Sequence, residues 1–173
     1  MKTKLTFAAL AIAASFAPMG AVHAEGMYAG LNYGQLKVNG SGLNVSPSIV
    51  YVNIGNEFSK NFAVEGRLGA GVGDETVRYS GVDVKVKVTS QYGLYAKGIL
   101  PLAETFSVYG LLGYANTKVT ASAGVGSATA TAGHSGYGVG ATLNATKNVS
   151  ISAEWNHIDS GSTLVSIGAA YKF

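Results

Sequence analysis

The chain has no cysteine among its 173 residues, which excludes a disulfide framework, thiol chemistry and any cysteine-ligated zinc. Stability must come from packing and hydrogen bonds alone. Charge is scarce as well: 12% of the residues are Asp, Glu, Lys or Arg. Beyond the N-terminus no run reaches the roughly 18 apolar residues of a transmembrane helix, although 47% of the chain is hydrophobic. The apolar residues are distributed, and their spacing carries the information. Histidine occurs three times, with no clustered partners for a metal.

The N-terminus gives the compartment. Met1-Lys2-Thr3-Lys4 is a short basic head, Leu5 to Pro18 is apolar, and Val22-His23-Ala24 has the small-residue form of a cleavage site. These are the parts of a secretory signal peptide, too short to be a spanning helix. Cleavage after Ala24 divides residues 1–24 from a mature chain of 149 residues, 25–173, a single domain. Lys2 and Lys4 leave with the signal, so ten basic residues face nine acidic ones. A net charge of +1 gives no reason to expect a nucleic-acid partner.

The mature chain is a series of alternating stretches. In the last nine residues Val165, Ile167, Ala169, Tyr171 and Phe173 alternate with Ser166, Gly168, Ala170 and Lys172, the pattern of a strand with one apolar and one polar face. Similar strands are expected from about Met27 to Leu36, across Val50–Phe58 and Phe62–Val72, from Val82 to Ala96, across Phe106–Tyr114, Gly136–Asn144 and Val149–Asn156. Short turns at Ser59-Lys60-Asn61, Pro101–Glu104 and Thr146-Lys147-Asn148 alternate with longer polar segments at Val38–Pro47, Asp74–Gly81 and Val119–Gly133, all three read as loops. The expected fold is all-β, an eight-stranded antiparallel up-and-down transmembrane barrel preceded by a cleavable signal peptide, its short turns facing the periplasm.

Orientation follows from three sorted residue classes. Charged residues within the spans, Glu57, Glu65, Arg67, Lys97, Glu154 and Lys172, share the parity of the polar face. A charge facing lipid at mid-depth costs roughly 2–4 kcal/mol, and buried charges require partners. The six are therefore expected as a lumen charge network, with Arg67 pairing Glu154 across the lumen and Lys97 pairing Glu65. Glycines such as Gly55, Gly69, Gly113, Gly140 and Gly168 fall mainly on that same face, leaving room for large facing side chains. An eight-stranded barrel is just wide enough for side chains to fill, so a plugged interior is expected. Phe58, Phe62, Phe106 and Phe173 lie at the short-turn ends or the C-terminus; Tyr33, Tyr92, Tyr114, Tyr137 and Trp155 lie nearer the other end. Two aromatic belts match two membrane interfaces.

Tyr109-Gly110-Leu111-Leu112-Gly113-Tyr114, Gly136-Tyr137-Gly138-Val139-Gly140-Ala141 and Ala169-Ala170-Tyr171-Lys172-Phe173 resemble the small outer-membrane barrels of the OmpX/Ail and OmpA type. The resemblance spans the mature chain. It implies a bacterial cell-surface protein of the outer membrane, reached through the secretory pathway, with a role in adhesion, host interaction or envelope integrity. It also implies that Tyr171 and Phe173 form the assembly signal read by the barrel-assembly machinery, with periplasmic chaperones as further partners. Outer-membrane lipid and lipopolysaccharide would surround the barrel, a host or surface ligand would meet its loops, and the chain is expected as a monomer.

Four features invite sharper readings. The stretch from Val82 to Val88 continues the parity of Ser90, Tyr92, Leu94 and Ala96, and at about 3.3 Å per residue the whole strand spans on the order of 50 Å. Its end should stand in water beyond the bilayer. Val82, Val84 and Val86, with Asp83, Lys85 and Lys87 opposite, either offer an edge to a partner strand or form a strand end whose lysines blunt aggregation. Gly69-Ala70-Gly71-Val72-Gly73 and the glycines of 136–140 are read as strand packing, because no strand-to-helix context for phosphate is present. His157 near Asp159, Ser160 and Ser162 faintly resembles the surface hydrolases that modify lipid A; a hydrogen-bonded loop pair without catalysis is the simpler reading. The chain is thus expected to be non-enzymatic and without cofactor; the alternatives are a narrow channel for small or apolar solutes and, less favoured, a lipid A-modifying enzyme.

Overall fold

The computed structural model describes residues 26–173 apart from 41–42, 74, 80–81, 125 and 160; the expected signal peptide lies outside them. Ten strands follow in order: β1 (Met27–Gly40), β2 (Leu43–Val45), β3 (Ser48–Ser59), β4 (Phe62–Gly71), β5 (Glu75–Tyr79), β6 (Val82–Pro101), β7 (Phe106–Ala123), β8 (Gly126–Asn144), β9 (Val149–Asp159) and β10 (Ser162–Lys172). Eight of them, β1, β3, β4, β6, β7, β8, β9 and β10, pair antiparallel in a ring that closes where β10 meets β1. The closing register runs from Tyr28 opposite Lys172 to Val38 opposite Ser162, and the Phe173 amide donates to the Met27 carbonyl at 3.0 Å. Closure leaves no unpaired edge within the wall, the condition for a sheet to cross lipid. No helix among the described residues is long and apolar enough to cross a membrane; crossing by strands is the alternative geometry.

The barrel wears its apolar side outward. Leu31, Leu68, Leu94, Leu112, Val139, Ile151 and Ile167 are exposed, Leu94 by 63%, whereas Glu65, Asn53, Glu154 and Asn156 are buried. This inversion of a soluble fold is the arrangement expected of a protein whose solvent is acyl chains.

The structure departs from the sequence reading at the long-strand end. The segments read as loops at 38–47, 74–81 and 119–133 contain regular pairing: β1 runs on to Gly40 and folds back on β2, β5 pairs the outer part of β6, and β7 and β8 stay paired out to Ala123 and Gly126. Ala, Thr, Ser and Gly give no apolar alternation to detect, and the pairing comes from the neighbouring strand rather than local preference. Gly124, with φ of +50°, sits at the tip where a side chain is disfavoured.

A second departure lies inside β6. Its ladder with β7 shifts register between Val88 and Ser90, a β-bulge that exchanges the two faces of the strand. Val88 is accordingly buried to 1% exposure, and Lys85 and Lys87 are exposed. The unbroken parity expected from Val82 to Ala96 is therefore two half-strands of opposite facing.

Candidate functional site

The lumen is filled in layers because inward positions alternate large side chains with glycine across each ladder. Tyr28 stands opposite Gly55, Tyr51 opposite Gly69, Tyr95 opposite Gly113, Tyr109 opposite Gly140, Asn156 opposite Gly138 and Asn32 opposite Gly168. A Cβ added at any of these glycines would overlap the side chain of its cross-strand partner. The glycines are the sockets that let the tyrosine rings and asparagine amides lie against the wall.

Ion pairs occupy the middle layer. Arg67, from β4, donates from both terminal nitrogens to Glu154 of β9, at 2.5 and 2.8 Å, and from Nε to Glu65 at 2.6 Å. Its side chain is 7% exposed, and its guanidinium lies 4.4 Å from the Tyr95 ring centre. Glu65 also accepts from Tyr28 at 2.8 Å, from Asn53 at 2.9 Å and from Lys97 at 3.3 Å. Glu154 accepts from Tyr109 at 2.9 Å and Asn156 at 2.6 Å. A planar guanidinium serving two carboxylates, each with further donors, is the geometry in which buried charges are tolerated. Lys97 rests 4.1 Å from the Tyr109 ring centre, close enough for cation–π attraction. Lys172 pairs with Glu57 nearer the short-turn mouth; both are partly exposed, so that pair contributes little.

On the long-strand side of this layer Leu36, Ile49, Tyr51, Val88, Ile158 and Leu164 form an apolar stopper. Sequence reasoning missed it: these residues share the polar parity of their strands or, for Val88, appear on the wrong face until the bulge is seen. On the short-turn side a cavity of about 680 Å³ opens, with Asn53, Lys97, Tyr109, Ser152 and Lys172 among its lining.

Beyond the barrel rim β5, β6, β7 and β8 continue as a projecting sheet. Val82–Val86 of β6 has β5 on one flank, and Val84–Val88 has β7 on the other. Within the stretch Val82, Asp83, Val84, Lys85, Val86 and Lys87, residues Val84–Val86 are therefore flanked by strands on both sides, whereas among the described residues Val82 and Asp83 pair β5 alone and Lys87 pairs β7 alone. The register aligns Lys87 with Thr120 and Thr129, and Ser90 with Lys118 and Thr131. Lys85, Lys87 and Lys118 thus share one exposed face, crossed by a hydroxyl ladder from Thr89 to Thr120 (2.9 Å) and on to Thr129 (3.1 Å). Val84, Val86, Ala121, Ala123, Ala128, Ala130 and Ala132 take the opposite face.

The two aromatic groups separate by level. Phe58 and Phe62 approach to 6.4 Å and Tyr171 and Phe173 to 5.4 Å near the short-turn end, all four exposed. At the other end His157 lies 5.1 Å from Tyr137 and 6.2 Å from Trp155, ring centre to ring centre. The imidazole is thus one ring of the outward belt. The Asp159 side chain and Ser160 lie outside the described residues.

The chain matches the family model for the outer membrane protein beta-barrel domain over residues 6–173. No curated protein sequence matches it significantly. Among solved structures, the attachment invasion locus protein Ail of Yersinia pestis is 24% identical, with a TM-score of 0.64, 86% of this chain covering 99% of that one. Neisserial surface protein A is similar at 17% identity and a TM-score of 0.64, over 86% and 98% of the two chains. The N-terminal barrel domain of Pseudomonas aeruginosa OprF is similar at 12% identity and 0.61, over 84% and 97%. A closed, apolar-out barrel with a charge-filled interior and a family match across nearly its whole length leaves one conclusion: this chain belongs to the outer membrane protein beta-barrel domain family.

Proposed function

We propose that the chain is a non-enzymatic, non-conducting barrel of the bacterial outer membrane that exposes its projecting sheet for surface interaction and braces the envelope. The observation that carries this reading is the division of the molecule. Its interior is occupied by the Arg67 layer and the Leu36–Leu164 stopper, whereas ordered, solvated strands continue past the rim. In planar bilayers the purified barrel is expected to give no discrete conductance steps; steady unitary currents would favour the narrow-channel reading. Unchanged lipid A by mass spectrometry, with and without the protein, is the matching expectation against a lipid A-modifying activity.

The lysine face suggests the ligand class. Ail has been solved in complex with the heparin analogue sucrose octasulfate, and here Lys85, Lys87 and Lys118 stand exposed on one side of the sheet. Clustered cations on a rigid surface attract sulfated glycans and other polyanions in a salt-dependent way. Cells displaying the protein should adhere to immobilised heparin, and K85E/K87E/K118E should abolish that adhesion without altering barrel assembly. Undiminished adhesion would remove the lysine face from the function. Export with removal of residues 1–24, chaperone escort, insertion by the barrel-assembly machinery through Tyr171 and Phe173, and an outer belt set in lipopolysaccharide complete the reading.

A further inference from the structure

Among the described residues β2 and β5 each pair one neighbour, and the longest one-sided stretch of the rim lies in β8. β9 pairs β8 only over Tyr137–Asn144, so the Gly126–Gly133 part of β8 has β7 on one side and no strand pairing among the described residues on the other. Exposed edges in natural sheets are blunted by lysine, proline, bulges or short length. Gly126-Ser127-Ala128-Thr129-Ala130-Thr131-Ala132-Gly133 has no charge and no proline, and its ladder with β7 runs without a register shift. It is a flat, unguarded edge held in place by the strand behind it.

Its sequence is also nearly a mirror of itself about Ala130. An antiparallel copy centred there places Ala130 against Ala130, Thr129 against Thr131, Ala128 against Ala132 and Ser127 against Gly133. Alanines then meet alanines on one face and threonines meet threonines on the other, with Ser127 set against Gly133, the favourable like-to-like pairing of a continuous sheet. A two-fold axis of this kind is isologous, so one strand satisfies both partners. A parallel two-fold pairing would turn one copy over and set its alanine face beside the other's threonine face. Only the antiparallel arrangement keeps the pattern.

We infer that β8 is a homotypic docking strand, and that the second copy sits in a different membrane. The antiparallel two-fold stands normal to the sheet at Ala130, so it reverses strand direction and barrel axis together and points the two rims at each other. Ala130 is seven residues beyond the Tyr137 belt; at about 3.3 Å per residue and a strand tilt of 35–45°, it stands roughly 15–20 Å above that belt. Paired copies would hold two membranes with their outer belts roughly 30–40 Å apart. The inference rests on the surface-interaction reading and adds a partner to it: a second molecule of this chain on a neighbouring cell.

Full barrels reconstituted into phospholipid vesicles free of lipopolysaccharide provide the test. Protein-bearing vesicles should cluster, measured by light scattering, and should exclude protein-free vesicles of another colour. In A128E/A132E like charges face each other at both positions, and clustering should fall at least tenfold; in A128E/A132K opposite charges face each other and clustering should return. The chain has no native cysteine, so Ala130→Cys should form a covalent dimer on oxidation, joining differently labelled vesicles, whereas Ser122→Cys on β7 should not. Clustering that survives A128E/A132E, an absence of clustering by folded wild-type barrels, or Ala130→Cys dimers confined to single vesicles would each overturn the inference. Heat-modifiable gel migration of every variant reports barrel folding. Heparin adhesion of A128E/A132E should persist, which separates failure of this inference from failure of the lysine-face reading.

Discussion

Arg67 is the residue on which the interior depends. It is the shared cation of two buried carboxylates, Glu65 and Glu154, and it lies against Tyr95. Removing one member of a buried ionic group leaves uncompensated charge, at a cost of about 3–5 kcal/mol. Arg67→Met should therefore lower the unfolding free energy, measured by urea titration in lipid, by that order, and adding Glu154→Leu to it should recover part of the loss. Equal stability of Arg67→Met and wild type would show the layer to be dispensable. The six lumen charges could be placed on one face from sequence because strand periodicity is two and the turns at 59–61 and 146–148 are short, which leaves little slack in the register. The glycine sockets were half legible. Their inward parity is plain in the sequence, but the identity of each cross-strand partner, such as Tyr95 for Gly113, depends on a register that only three-dimensional pairing supplies.

At the scale of the element, β6 shows what periodicity conceals. Val82, Val84, Val86 and Val88 continue the rhythm of Ser90 to Ala96 without a missed beat, yet the bulge between Val88 and Ser90 turns them to the opposite face. The bulge sits where the membrane wall becomes the projecting sheet, and it sends the lysines outward and Val88 into the stopper with Leu36 and Ile49. Val88→Ala should cost about 1–2 kcal/mol from lost apolar contact, whereas Val72→Ala, at a position 56% exposed, should be close to neutral; chemical denaturation compares the two directly. A neutral Val88→Ala would place that side chain outside the stopper. The outer parts of β7 and β8 escaped the sequence reading for a different reason: alternating Ala and Thr has no hydrophobic amplitude, and both faces of that sheet meet water.

At the scale of the whole molecule, the barrel is a rigid, side-chain-filled wall carrying an extension of ordinary solvated sheet. The wall was readable because lipid imposes one rule on every spanning strand, apolar out and ionic in. The extension was not, because water imposes no such rule. The layering also makes the two ends unequal. The cavity of about 680 Å³ reaches inward from the short-turn end past Ser152 and Lys97, and the Arg67 layer and the apolar stopper stand between it and the opposite rim. In oriented vesicles Ser152→Cys should react with a membrane-impermeant maleimide added on the short-turn side and should be protected from the same reagent on the other side. Equal labelling from both sides would mean that the stopper leaks. On the proposed reading, with the short turns on the periplasmic side, that seal makes the interior a blind well whose water, ions and stray solutes would answer to the composition of the periplasm, whatever the medium outside the cell becomes.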